Sequence, residues 1–498
     1  MDSELGSTDP APPKRRRVGT GIPGLDQVLR GGLLEGGLYV LDGAAGTGKT
    51  VLSFQTGLHI ARHEGRVLFV TLLAESHGKL IEHNSGFRFY DPAVVARSFT
   101  LVSGFGTLRA TGLSGFLRML AEMLARERPR LLVIDGFSIA RAFAVGLSDY
   151  GQFVLQLGAL GSAAGCTTLL VTPTLLEPSG EEWPLVDGII ELGTHANGMR
   201  RVRELEVVKL RGGEPLAGRH TFTISDAGIT VFPRLEAEFR QPPRNRPEGP
   251  RLSTGIPGLD EMLDGGLQPA STTSVMGAPG TGKTVLSLKF LEEGLRRGER
   301  ALYLGFYESP ERLLAKAEAL GIELAQAREQ GRFLIDWEPP LEPAGDTIAA
   351  RLLEHVHRAG VQRVVIDSVE GFEDTASRPE RVVPMLAALL GHLSGAGVTT
   401  VVTEELGLYT STVESRHQRL SAHVENIVLL RYVEIDAEVR RLISVMKARS
   451  GTYDRAIREF TIEADRIGIG SRFHNAERVL SGDARLLRQA PLPTQGAR

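Results

Sequence analysis

Gly43-Ala44-Ala45-Gly46-Thr47-Gly48-Lys49-Thr50 and Gly277-Ala278-Pro279-Gly280-Thr281-Gly282-Lys283-Thr284 both match the pattern G-x-x-x-x-G-K-[ST], 234 positions apart. Each stands between a short apolar run and a longer stretch with apolar residues at helical spacing. The chemistry needs that context. Backbone N–H groups of such a loop, and the N-terminus of the helix behind it, surround phosphate oxygens, and the glycines let the backbone come close. The pattern therefore assigns Gly43, Gly46, Thr47, Gly48, Lys49 and Thr50, with Gly277, Gly280, Thr281, Gly282, Lys283 and Thr284, to ATP. Lys49 and Lys283 reach the β- and γ-phosphates, and the Thr50 and Thr284 hydroxyls ligate Mg2+.

Outward from the loops, the duplication continues. Gly19–Leu33 reads GTGIPGLDQVLRGGL and Ser253–Leu267 reads STGIPGLDEMLDGGL, at the same offset of 234. LLVIDG at Leu131–Gly136 answers VVIDSV at Val364–Val369, and GCTTLLVT at Gly165–Thr172 answers GVTTVVT at Gly397–Thr403. Order is kept and spacing drifts little, so whole domains are repeated. At 498 residues the chain exceeds what one core usually serves. The composition predicts a disordered arm at 1–17, a first domain at 18–235 and a linker at 236–251, where Pro and Arg displace apolar periodicity. A second domain at 252–480 and a disordered tail at 481–498 follow. Within each half, β-branched runs alternate with amphipathic stretches, which implies an α/β fold with a mainly parallel sheet covered by helices. RVRELEVVKL, HTFTISDAGITVF, VRRLISVMKA and REFTIEAD alternate polar and apolar residues, which predicts antiparallel strands at one sheet edge.

Asp135 and Asp367 each end an apolar run downstream of a loop. That is the place of an aspartate holding Mg2+ directly or through water. Hydrolysis also needs a group that orients or deprotonates the nucleophile. Glu308, in Tyr307-Glu308-Ser309-Pro310, stands 25 residues after Lys283; the same count from Lys49 reaches Ala74, and Glu75 comes one position late. On a strand, a shift of one residue turns a side chain to the other face. Glu308 and Glu75 are thus the catalytic candidates, and the first site is expected to bind ATP and turn it over poorly.

Composition excludes several classes. The net charge of −3 and a charged fraction of 23% leave no general footprint for nucleic acid, and Lys14–Arg17 is a short basic run in the expected arm. No stretch of 18 apolar residues occurs, so no membrane span is expected. The N-terminus lacks the apolar segment of a signal peptide. Cys166 is the one cysteine, which fits a reducing cytoplasmic setting.

Together these residues resemble the KaiC family of RecA-like P-loop ATPases. The resemblance covers about residues 18–480, and its marks are the paired TGIPGLD boxes, the two GTGKT loops, the run NIVLLRYVEIDAEVRRLISVMKARSGTYDRAIREFTI and FHNAERVLSG. It implies two tandem RecA-like domains and a two-tiered homo-hexameric ring with ATP at subunit interfaces. By position, Lys209 and Arg211 of VVKLRG would reach a neighbouring subunit's ATP in the first tier, and Lys447 and Arg449 of VMKARSG in the second. A cation supplied in trans stabilises developing phosphate charge. Similar clock proteins carry paired carboxylates after the second strand of each domain; Leu73, Ala74 and Tyr307 depart from that pattern. They also autophosphorylate a Ser-Thr pair that aligns here with Ser421 and Ala422, leaving Ser421 as the candidate phosphosite. The resemblance thus implies Mg-ATP hydrolysis, serine autokinase activity in the second domain, and signalling or clock-like protein partners. Two rival readings stand beside it. One is an ATP-assembled signalling scaffold with little catalysis. The other is a RecA-like DNA-binding motor, which the lack of a Lys/Arg-rich loop disfavours.

Overall fold

The computed structural model describes residues 16–73, 77–173, 184–197, 199–239, 249–342, 345–407, 418–435, 438–449, 451–463, 466–472, 476–477 and 485–486. The chain forms two compact units that divide between Glu238 and Phe239. The short helix Leu235–Glu238 closes the first unit and overlaps the start of the expected linker. Residues 240–248 of that linker, residues 1–15 of the expected arm, and Glu75 lie outside the described residues. Arg17, placed in the arm by composition, belongs to the first unit: Arg17–Val18 pairs with Leu33–Leu34, and its guanidinium donates to the Leu29 and Gly32 carbonyls. In the expected tail, Arg485–Leu486 pairs with Ala476–Glu477.

The first sheet contains β1 (Leu38–Gly43), β2 (Val67–Thr71), β3 (Phe99–Ser103), β4 (Leu131–Asp135), β5 (Thr167–Pro173), β6 (Gly188–Asn197), β7 (Arg200–Leu210), β8 (Arg219–Ser225) and β9 (Gly228–Phe232). The second contains β10 (Thr272–Gly277), β11 (Ala301–Gly305), β12 (Phe333–Trp337), β13 (Arg363–Asp367), β14 (Thr399–Glu405), β15 (Asn426–Ile435), β16 (Glu438–Ala448), β17 (Arg458–Glu463) and β18 (Arg466–Arg472). Strand order is β9-β8-β7-β6-β1-β5-β4-β2-β3 in the first and β18-β17-β16-β15-β10-β14-β13-β11-β12 in the second, the same topology twice. From β3 to β6, and from β12 to β15, every pairing is parallel. The last three strands of each unit add in antiparallel fashion, where the alternating segments predicted them.

All six residues of β1 are buried. Tyr39 and Leu41 join one core, with Leu52, Phe54 and Leu58 of α1 (Lys49–His63); Leu38 and Val40 join the core on the opposite face. This is the two-residue period of a strand covered on both sides. Burying Phe54 or Leu58 contributes roughly 1.5–3 kcal/mol each relative to exposure. The equivalent helix of the second unit, α2 (Lys283–Arg296), buries Leu286, Leu288, Phe290 and Leu291 in the same way. The TGIPGLD boxes close each unit. Asp26 Oδ1 accepts from the Thr20 amide at 2.8 Å and hydroxyl at 2.7 Å, and Asp260 Oδ1 accepts from both groups of Thr254 at 2.7 Å.

Candidate active sites

Each glycine-rich loop leaves the carboxyl end of a central strand and turns directly into a helix. Gly48 and Gly282, the residues before α1 and α2, both hold φ at +106°, which an L side chain rarely adopts. Thr47 and Thr281 brace the loops from inside, their hydroxyls donating to the Ala44 and Ala278 carbonyls at 2.9 and 2.8 Å. Lys49 Nζ crosses its loop to the Gly43 and Ala44 carbonyls at 2.6 and 2.8 Å. Lys283 Nζ does the same to Gly277 and Ala278 at 2.7 and 3.0 Å. Burial is the main cause that lowers both ammonium pKa values, opposed by Asp135 and Asp42 at Lys49, and by Glu405, Asp367 and Glu370 at Lys283.

The metal candidates meet as the spacing implied. Thr50 Oγ1 donates to Asp135 Oδ2 at 3.2 Å, and Thr284 Oγ1 to Asp367 Oδ2 at 2.7 Å. A hydroxyl and a carboxylate beside a phosphate cradle form a hard oxygen donor set of the kind Mg2+ takes while keeping several waters. Beyond this pair the sites differ. Tyr303 donates its hydroxyl to Asp367 Oδ2 at 2.8 Å and Thr403 donates to Oδ1 at 2.5 Å. Phe69 and Val171 take those two places in the first unit, as the parallel registers show. Burial, then Asp367, raise the Tyr303 pKa far above its usual value, so this phenol stays a donor.

Glu308 does not sit on its strand. β11 ends at Gly305, and Glu308 follows on a bend, with its carboxylate 2.6 Å from Lys316 Nζ. β2 ends at Thr71 at the equivalent position, so the alternation argument that separated Glu308 from Glu75 does not reach either residue. Beyond the strand, backbone direction is set by the bend. Tyr307 is exposed and donates to Asp374 Oδ2 at 2.8 Å.

The cations assigned across subunits lie on the antiparallel strands or just past them. Lys447 Nζ donates to the Ser421 and Val424 carbonyls at 2.5 and 2.8 Å, and Arg449 to the Ala422 carbonyl at 2.5 Å. They thereby hold the one-turn helix Gln418–Ala422, on which Ser421 is exposed. Arg211 donates to the Pro184 carbonyl at 2.5 Å and lies 3.6 Å from the Asp187 carboxylate. Burial, then Arg211, lower the Lys209 pKa. Cys166 is buried, which pushes its thiol up to about 12 and leaves it a core residue.

Tyr303, Thr403, Glu370 and Glu405 were not found from the sequence. The signal was present in the repeat: TTLLV at Thr167–Val171 answers TTVVT at Thr399–Thr403, so a valine becomes a hydroxyl beside the aspartate.

Two loop–lysine–threonine–aspartate constellations at the carboxyl ends of two parallel sheets define a P-loop nucleoside triphosphatase with duplicated domains. More particularly, the chain belongs to the KaiC ATPase family, whose model matches residues 18–236 and 252–473. It is similar to the circadian clock oscillator protein KaiC of Synechococcus elongatus, 30% identical over 502 residues, covering 94% of this chain and 91% of the relative. It is also similar to that of Picosynechococcus sp., 28% identical over 484 residues and covering 94% and 92%, and to KaiC 1 of Synechocystis sp., 28% identical over 486 residues and covering 94% and 91%. The chain is a KaiC-type ATPase and binds ATP. Among the described residues no helix is long and apolar enough to cross a membrane.

Proposed function

We propose that this ATPase works as a cytoplasmic, two-tiered homo-hexamer on Mg-ATP, with most turnover in the second domain. The observation that carries this reading is the difference between the two aspartates: Asp367 accepts three hydroxyls, from Thr284, Tyr303 and Thr403. Beside Asp135, which accepts the Thr50 hydroxyl, the places of Tyr303 and Thr403 are taken by Phe69 and Val171, neither of which carries a hydroxyl. When bound, Mg2+ would neutralise charge on the β- and γ-phosphates. Thr284 and Asp367 would hold it, Lys283 would bind the γ-phosphate, and Glu308 would position the attacking water. Thr50, Asp135 and Lys49 would do the corresponding work in the first site, with Glu75 as its less effective base. Lys209, Arg211, Lys447 and Arg449 are assigned to neighbouring nucleotides, which makes the ring dependent on ATP. Ser421 is assigned as an autokinase acceptor. Any signalling or clock-like partner would then read a ring whose state ATP sets.

Ligand shared between subunits stabilises the assembled state by mass action. Light scattering of the full chain at micromolar concentration should therefore give a hexamer with saturating Mg-ATP and smaller species without it. A monomer under saturating Mg-ATP would contradict the ring.

A further inference from the structure

The crevice between β10 and β14 is the point where the second sheet changes winding direction. The chain leaves β10 toward β11 on one side, and leaves β14 toward β15 on the other. In doubly wound sheets the reacting end of a ligand sits outside the carboxyl ends of such a strand pair. Two residues flank that crevice in register: Gly277, which opens the P-loop, and Glu405, which ends β14. The Leu406 amide donates to the Gly277 carbonyl at 3.1 Å and fixes the loop's base against this strand end. Glu370, from the short helix Val369–Asp374 after β13, accepts the Glu405 amide at 2.8 Å and fixes the other side. The Glu405 side chain remains exposed at the mouth. Register with Gly277 sets Glu405 beside the start of the P-loop, and its carboxylate is among the charges that oppose the lowering of the Lys283 pKa by burial.

Among the described residues, the first unit differs at both equivalent positions. Pro173 is the register partner of Gly43, and Ser138 takes the place of Glu370. At Lys49 the carboxylates that oppose burial are Asp135 and Asp42. The acid at this strand end is therefore a property of the second site and not of the shared fold.

We infer that Glu405 is a catalytic proton acceptor of the second site, supplying from β14 the carboxylate that Tyr307 does not supply from the bend after β11. The inference rests on the reading that the second site hydrolyses ATP. The water oxygen forms a bond to the γ-phosphorus, and the bond from that phosphorus to the β–γ bridging oxygen breaks. The bridging oxygen leaves with the electron pair as part of ADP, beside the Lys283 ammonium. The proton from the water passes to the Glu405 carboxylate. Glu308, whose carboxylate already binds Lys316, accepts a hydrogen bond from the same water. Removing a proton acceptor lowers rate by ~10²–10⁴-fold while leaving ground-state binding largely intact.

The test uses the full chain carrying Lys49→Ala, so that phosphate release reports the second site. Adding Glu405→Gln, an isosteric change at an exposed position, should lower kcat at saturating Mg-ATP at least ~100-fold, with ATP affinity within about threefold. Glu405→Asp should recover part of the rate. Adding Lys283→Ala sets the background. Turnover that survives Glu405→Gln but not Lys283→Ala overturns the inference and leaves the second-site reading standing. A loss that appears in ATP affinity with kcat unchanged also overturns it. A Lys49→Ala chain with no turnover above background removes the underlying reading and the inference with it.

Discussion

Ser421 stands on a single turn whose last two carbonyls are held by cations, Ser421 by Lys447 and Ala422 by Arg449, while Lys447 also reaches the Val424 carbonyl just beyond. A hydroxyl on so short an element has little intrinsic order, because one helical turn is far below the length that is stable alone. The two cations supply that order, and neutralising either would loosen the acceptor. Position 422 is alanine and has no nucleophile. Incubation of the purified chain with Mg-ATP should therefore label Ser421 singly, and phosphopeptide mass spectrometry should find no doubly phosphorylated 421–422 peptide. Unlabelled Ser421 in a sample that releases phosphate would identify a pure ATPase. The same cations that order this turn are the ones assigned to a neighbouring ATP. They would link nucleotide occupancy to acceptor position.

At the scale of elements, β1 and β10 carry the same loop on different foundations. Asp42 lies in register with Thr172 and Glu191, whereas Met276 lies in register with Glu404 and Leu429. Asp42 is 7% exposed, and its Oδ1 has no hydrogen-bond partner. Burial raises its pKa above the ordinary 3.8, with Glu191 adding to the effect. Between the ordinary and raised values the folded state keeps a proton that the unfolded state has lost, so stability falls as pH rises through that window. Above the window the charged, buried carboxylate is a fixed penalty. Asp42→Asn should raise the first-domain melting transition at pH 7, and the gain should shrink as pH approaches 4; calorimetry of the nucleotide-free chain reads this directly. An equal shift at both pH values would contradict it. The loop itself sets a second constraint. A Cβ on Gly282 would lie 2.5 Å from Ile462 Cδ1 and 2.8 Å from Phe460 Cε1, at a φ of +106°. Left-handed strain costs about 1–2 kcal/mol and overpacking about 1–3 kcal/mol. Gly282→Ala should lower the second melting transition and abolish ATP binding at that site, whereas wild-type binding would show that the loop relaxes freely.

These elements also show what was readable before the fold was known. The loops, Lys49, Lys283, Thr50, Thr284, Asp135 and Asp367 were legible because phosphate and metal chemistry demand particular residue types at fixed local spacing. The antiparallel edge was legible because half-buried strands alternate. Tyr303, Thr403 and Glu405 were not, because each reaches its site from a different strand, and only strand order and register bring them to Asp367 or Gly277. Glu308 lies beyond its strand, which ends at Gly305, so strand alternation does not set its direction.

At the scale of the whole molecule, one topology is used twice and furnished differently. Both units keep the cradle, the lysine and the threonine–aspartate contact. The second adds two hydroxyls on its aspartate, and Glu405 and Glu370 near its lysine take the place that Asp42 has in the first. A duplicated ATPase whose halves diverge in this way can devote one site to assembly and the other to turnover. Steady-state phosphate release from the full chain, compared between Lys49→Ala and Lys283→Ala, tests that division most directly. The account predicts that Lys283→Ala loses most of the rate and Lys49→Ala keeps most of it. Equal losses, or the larger loss from Lys49→Ala, would contradict it.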